Sequence, residues 1–345
     1  MNYREVGGTG IRVSEIGFGC GGNAGLMVRG TFEQQKDAID RALELGVNYF
    51  DQAPDYGGGV AEENLGRVLR ELGVRPYITT KVEVRVQNLD DIAGQVTRSL
   101  DESLKRLGVD YVDFLQIHNG PVMDRPELSG RNYSRLWIED YLRPGGALDG
   151  LQRAQRSGKA RFIGFITRGN DAPAAQKLID SGAFSLINVS VNLLNPSAAI
   201  KPYGMQVDQD YGGILSYAAA RGVSAAIYSP LDGGVLTDSA IAGRQGHPLA
   251  RGPRSPEAWS IPLRRAKALS FLSRELNPQA HEEHGLAEAA IRFILSLAGV
   301  AAVLGGFSEK KQVEEITACS GKGPLSVQNM ARIEMVWRAN FGLGG

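Results

Sequence analysis

Cysteine is nearly absent: Cys20 and Cys319 are the two in 345 residues, too few for a disulfide framework. With four scattered histidines they offer no ligand spacing for a metal either. Charge of one sign is missing as well, since 38 Lys plus Arg balance 38 Asp plus Glu. A chain without a net field has no electrostatic means of gathering nucleic acid or an anionic membrane, so neither is an expected partner. A small-molecule ligand fits better. The longest nearly apolar stretch, Phe293 to Phe307, is broken by Ser296 and several glycines. It is shorter than the ~20 residues that cross a bilayer. The opening MNYREVGGTG has neither the basic nor the apolar region of a secretory leader, which points to a cytoplasmic protein. No G-x-S-x-G elbow and no Walker loop occur.

Glycine, by contrast, is in excess: 44 of 345 residues, about 13%, against a usual ~7%. Its distribution follows an alternation of short apolar runs and amphipathic helical patterns. After a hairpin-like start (Tyr3 to Val6, a Gly7-Gly8-Thr9-Gly10 turn, Ile11 to Val13), eight runs are bounded by Gly, Asp, Asn or Pro. They cover 15–18, 47–51, 76–81, 111–117, 160–166, 184–191, 223–228 and 300–304. Between them, Ala38, Ile39, Ala42 and Leu43 share a helical face after Thr31, as do Ile92, Val96, Leu100, Leu104 and Leu107 after Leu89. Continuously apolar strands separated by helices form parallel sheets covered on the outside. Eight such units predict a closed α/β fold, a (β/α)8 TIM barrel with an N-terminal β-hairpin, spanning 1–345 as one domain. No linker or composition shift marks a second one. Irregular insertions at 119–146, 195–210 and 231–262 each follow a strand and predict long loops at the C-terminal face.

That face is where the chemistry of such a barrel sits. The second run closes on Asp51, the third on Lys81, and the fourth leads directly into His118. Three titratable groups stand where a barrel core supplies Val, Ile or Leu. Tyr56, five residues past Asp51 in DYGGG, can fold back over the same mouth. Together they form a proton-transfer set. A phenol is a poor acid at neutral pH, but a neighbouring ammonium favours the phenolate, so Lys81 is expected to lower the Tyr56 pKa. Asp51 would hold that ammonium, and His118 would donate a hydrogen bond to a substrate carbonyl.

The string FDQAPDYGGGVAEENLG resembles the aldo-keto reductase superfamily, which has a strand ending in FD, then AP-x-YG, then a Glu before LG. The lysine of TTKV, DYVDFLQIH and IYSPLDGGVLT follow in the superfamily's order, and the resemblance covers the chain from YREVGGTGIRVSEIGFG to GGFSEKKQVEE. It implies the (β/α)8 barrel, a nicotinamide dinucleotide cofactor (NADP(H) first, NAD(H) as the alternative) and no metal. The reaction it implies is reversible hydride transfer to a carbonyl or sugar substrate. By the same resemblance Asp51, Tyr56, Lys81 and His118 are the catalytic four, with Tyr56 the general acid. Tyr228 would stack on the nicotinamide, while Gly19, Asp51 and Asn188 would lie beside it. Ser229, Leu231 and Gly233 would line the pyrophosphate path. Gly306, Ser308, Lys310, Gln312 and Glu315 would meet the adenosine phosphate end, where a Gly-rich turn runs into a helix start. Oxidation of an aldose or secondary alcohol, and a cofactor-binding redox-sensing subunit with slow turnover, are alternative uses of the same residues.

Several family positions are altered. The G-x-S-N after the fifth strand reads Gly164, Phe165, Ile166, Thr167, the strand-six Gln is Asn188, and the basic pair that grips a 2′-phosphate is Gly306 and Gln312. Lys310, Lys311, Arg244, Arg251 or Arg254 could restore that charge. GFGCGG, from Gly17 to Gly22, satisfies G-x-G-x-x-G, but the helical pattern begins only near Thr31, so it reads as a barrel-mouth loop and not as a Rossmann turn. His247 reads as an exposed loop residue. Phe18, Tyr133, Trp137 and Trp259 are candidate substrate walls, each equally readable as loop core.

Overall fold

A computed structural model describes residues 1–127, 134–168, 171–252, 256–276 and 285–343; Tyr133 and Arg254 lie outside them. The chain opens with a hairpin of β1 (Tyr3–Glu5) and β2 (Arg12–Ser14). Then come β3 (Ile16–Gly19), β4 (Tyr49–Asp51), β5 (Tyr77–Val82) and β6 (Val112–Ile117). A small parallel pair, β7 (Gly120–Val122) and β8 (Arg135–Trp137), lies within the first insertion. The sequence continues with β9 (Ala160–Ile166), β10 (Leu186–Ser190), β11 (Ser224–Tyr228) and β12 (Val300–Gly306). Eight of these, β3, β4, β5, β6, β9, β10, β11 and β12, pair in parallel in that order and close into a barrel. The eight apolar runs and the eight barrel strands coincide to within a few residues.

The helices form where the apolar period and the caps agree. Phe32–Glu44 starts at Thr31, whose side chain accepts from the Gln34 N–H while Gln34 returns the bond. Ile92–Leu107 starts at Asp91 and stops at Gly108, whose φ of 68° is left-handed backbone that glycine adopts without strain. Two details differ from the sequence reading. A single helical turn, Leu26–Arg29, precedes Thr31, and the end of the third insertion is helical, since Pro262 lies inside Pro256–Ala268.

Strand parity divides the core. Phe50, Ile78, Val82, Leu115, Ile117, Ile187 and Ile227 point outward onto the helices. Tyr49, Phe114, Leu186 and Ala226 point inward, and Val6, Ile11 and Val13 of the hairpin plug the bottom of the barrel against them. Phe18, readable from sequence as substrate wall or core, belongs to the outward set and is core: it is buried against Phe50 and Phe307 at ring separations of 5.3 and 4.8 Å. The outer layer also contains buried charge. Glu62, fully buried on the helix Val60–Leu72, accepts from Arg106 Nε at 2.7 Å and from Thr80 Oγ1 at 2.5 Å. One carboxylate thereby ties two helices to β5. Removing it leaves Arg106 and Thr80 without their acceptor, so Glu62→Ala is expected to lose roughly 3 kcal/mol of unfolding free energy. Urea denaturation of the two proteins measures this; a loss below about 1 kcal/mol would contradict the tie.

Candidate active site

The inward parity that places Tyr49 and Thr79 in the core brings Asp51 and Lys81 to the top of the same face two residues later. Lys81 is 1% and Asp51 3% exposed. Their contact is the tightest in the site, Lys81 Nζ to Asp51 Oδ1 at 2.5 Å. The ammonium also donates to the Gln52 carbonyl at 2.7 Å and to Tyr56 Oη at 3.4 Å. On its other oxygen Asp51 accepts from Asn188 Nδ2 at 2.9 Å, and Asn188 Oδ1 accepts from Gln116 Nε2 at 2.8 Å. A continuous polar chain thus crosses the barrel from β6 through β10 and β4 to β5.

Tyr56 is delivered from outside the sheet. It begins a short turn, Tyr56–Gly59, in which Gly57, Gly58 and Gly59 hold φ values of 65°, 67° and 101°. Side chains there would be strained, so the glycine run lets the chain reverse sharply into the helix at Val60 while the phenol reaches back over the mouth. Burial raises the Tyr56 pKa, Lys81 pulls it down, and Asp51 and Asp55 push it up again, leaving it at about 12. The direction of the lysine's effect is the one expected, but the opposing causes outweigh it and the phenol stays protonated. Burial would also discharge Lys81, yet Asp51 and then Tyr56 hold its pKa above the ordinary lysine value.

His118 follows β6 on the inner face, 2% exposed, its ring edge-on to Tyr56 at 6.0 Å. Its Nδ1 faces Asp55 Oδ1 at 3.2 Å, close but poorly aligned for a hydrogen bond. Its Nε2 lies 3.2 Å from an Arg168 guanidinium nitrogen. Burial lowers the imidazole pKa below 6.5; Asp55 opposes this, while Lys81 and Arg168 add to it. Neither Asp55 nor Arg168 was singled out from sequence. Asp55 is adjacent to Tyr56, and Arg168 follows the altered Gly164–Thr167 segment, which is the signal that could have pointed to it.

The expected cofactor positions fall into two groups. Gly19 ends β3, paired across to Gly306 on one side and Asp51 on the other, and Tyr228 ends β11 on the inner face, its phenol near that of Tyr211. Asn188 stands with them, although its amide oxygen and one amide hydrogen are committed to Gln116 and Asp51. Thr167, at the altered position, is buried and contacts the Asn188 carbonyl. In the loop after β11, Ser229 and Asp232 have φ of 54° and 47°, left-handed conformations that non-glycine residues adopt at a cost. Leu231 caps the turn there, and Gly233 is exposed with open space around it.

The second group lies beyond β12. Ser308 is buried, its N–H donating to Gln312 Oε1 at 2.8 Å and its hydroxyl to the Ala24 carbonyl at 2.7 Å. The helix Lys310–Thr317 starts with no side-chain cap. Lys310 is exposed, Gly306 is exposed, and Glu315 lies 3.7 Å from Lys311. An uncapped helix start, an exposed cation and open glycine backbone are the donor set that a dinucleotide's phosphates require. Among the described residues no group of His, Cys, Asp and Glu could hold a metal ion. No described helix is long and apolar enough to cross a membrane. Trp137 packs at β8, its Nε1 donating to the Met123 carbonyl, and Trp259 is half-buried against the core.

The model of the aldo/keto reductase family matches residues 15–338. The chain is 29% identical to an L-galactose dehydrogenase of Arabidopsis thaliana, over 92% of this chain and 88% of that one. It is 26% identical to an L-glyceraldehyde 3-phosphate reductase of Escherichia coli K12, over 97% and 92%. The fold is that of the glycerol dehydrogenase of Gluconobacter oxydans, with a TM-score of 0.72 at 21% identity, over 98% and 96% of the two chains.

The His118 environment has a consequence for stability. Its folded pKa lies below the unfolded value near 6.5, so the unfolded chain takes up the proton first. The stability held by the neutral imidazole is complete above that pH and is lost as pH falls from about 6.5 toward the folded value. The groups facing it (Asp55, Lys81, Tyr56 and Arg168) are all present in His118→Gln, which lacks the titration. Urea unfolding at pH 7.5 and 5.5 should therefore show a larger drop for the wild type than for His118→Gln; equal drops would contradict a neutral buried imidazole.

Proposed function

Because the chain belongs to the aldo/keto reductase family, oxidoreductases that use nicotinamide cofactors, we propose that it catalyses reversible, NADP(H)-preferring hydride transfer to an aldehyde, ketone or sugar carbonyl. The observation that carries this reading is the buried Asp51–Lys81 pair reaching Tyr56, a charged device at the mouth of the barrel. Gly19 and Tyr228 would hold the nicotinamide, which would supply or accept the hydride when bound. Tyr56, protonated in the resting site, gives its proton to the substrate oxygen. Lys81 supports the phenolate that this leaves, and Asp51, with Asn188 and Gln116 behind it, fixes the ammonium. His118 lines the same mouth, its ring edge-on to Tyr56. The L-galactose dehydrogenase relative makes aldose oxidation the reverse use of these groups. A screen of aldehydes, ketones and aldoses with NAD(P)H or NAD(P)+ would establish direction and substrate class together.

Tyr56→Phe keeps the ring and removes the proton. Turnover should fall at least a thousandfold while the NADPH dissociation constant, read by fluorescence titration, changes less than twofold. Wild-type rates in this variant would refute the mechanism.

Of the bases that could meet a 2′-phosphate, Lys311 sits beside Glu315, Arg244 has interactions of its own, and Lys310 is exposed at the helix start. Lys310→Ala is accordingly expected to raise the Michaelis constant for NADPH about tenfold and that for NADH less than twofold. Equal effects on both cofactors would exclude Lys310 as the 2′-phosphate contact.

A further inference from the structure

Arg168 stands where an aldehyde oxygen would have to approach His118. Its guanidinium nitrogen lies 3.2 Å from Nε2, and guanidinium groups donate hydrogen bonds without accepting them. Nε2 therefore presents its lone pair to Arg168, the imidazole proton is on Nδ1 facing Asp55, and His118 has no hydrogen left to offer a substrate carbonyl. The guanidinium has several. Among the described residues its hydrogen-bond partner is His118 alone, and no carboxylate forms an ion pair with it, although it is half-buried and lies within electrostatic reach of Asp55, Glu83, Tyr211 and Tyr228.

The backbone behind Arg168 is fixed. Thr167 donates its N–H to the Asn188 carbonyl at 2.9 Å, and the Arg168 carbonyl lies so close to Gly120 that a Cβ there would collide with it. The side chain thus leaves a backbone tied to β10 at Thr167, with its end against His118.

We propose that Arg168 is the catalytic residue that binds the substrate's carbonyl oxygen, and that His118 is a positioning residue for its guanidinium. The inference rests on the reading of Tyr56 as the acid. When the carbonyl carbon accepts the hydride, the C=O electron pair moves onto oxygen, the Tyr56 O–H bond breaks, and its proton goes to that oxygen. Arg168 transfers nothing; its N–H groups stabilise the negative charge while it develops, a role in which removal of one donor commonly costs 10²–10³ in rate.

The test compares wild type, Arg168→Ala, Arg168→Lys, His118→Gln and Tyr56→Phe on the aldehyde that the wild type reduces fastest. Arg168→Ala should lose about a hundredfold in kcat/KM, mostly in kcat, with the NADPH dissociation constant unchanged within twofold. Millimolar guanidinium chloride should restore at least fivefold of the loss in Arg168→Ala and nothing in His118→Gln. Arg168→Lys should retain more activity than Arg168→Ala; it also serves as the variant to read if the alanine protein does not fold. Full activity in Arg168→Ala, a loss that lies wholly in cofactor affinity, or a loss that guanidinium does not relieve would each overturn the proposal. If Tyr56→Phe is inactive while Arg168→Ala is normal, this inference fails alone; if both are normal, the reading of Tyr56 fails with it.

Discussion

A lysine and an aspartate, both almost wholly out of water, meet at 2.5 Å across the top of the barrel, and the rest of the site is arranged around that contact. Neither charge could be there alone, since an unpaired buried ion costs several kcal/mol and neutralises instead. The pair is tolerated because every side of it is filled: Asn188 on the second Asp51 oxygen, the Gln52 carbonyl and Tyr56 on the remaining ammonium hydrogens. Such an arrangement adds little to stability compared with an apolar core of the same volume. Its value is specificity, because it requires four strands to hold their register to within one residue.

Register also explains what could be read from sequence. In VNYFD, ITTK and FLQIH the polar residue keeps the parity of inward residues beneath it, so Asp51, Lys81 and His118 could be placed on one face from spacing alone. The apolar run at 160–166 coincides with β9, and the shared face of Ile92, Val96, Leu100, Leu104 and Leu107 with the helix Ile92–Leu107, because a continuous apolar run and a 3.6-residue period are local signals. Of the two readings open for Phe18, parity selects core: it is outward, and aromatic residues on that side pack under helices. Gln116, two residues before His118, shares its inward parity and joins the polar chain through Asn188.

Arg168 and Asp55 were not legible in that way. Both lie in segments without a period, just beyond a strand or before a turn, and their positions depend on how loops from distant parts of the chain meet. The close approach of the Arg168 carbonyl to Gly120 brings together residues 48 apart, and no local pattern encodes it. The same holds for Glu62. It stands within a motif string that suggests chemistry, yet its carboxylate faces away from the mouth, onto Arg106 and Thr80.

The balance of charges around Tyr56 bears on direction. Lys81 draws the phenol toward ionisation, but burial together with Asp51 and Asp55 holds it protonated, with a pKa of about 12. A protonated phenol can serve as an acid at once; serving as a base requires further positive charge nearby. Reduced and oxidised nicotinamide differ by one such charge. On the proposed assignment the redox state of the bound cofactor would itself set the proton affinity of Tyr56, high when a hydride is to be given and lower when one is to be taken. A single residue can then act as acid or base without rearrangement of the Asp51–Lys81 pair beneath it.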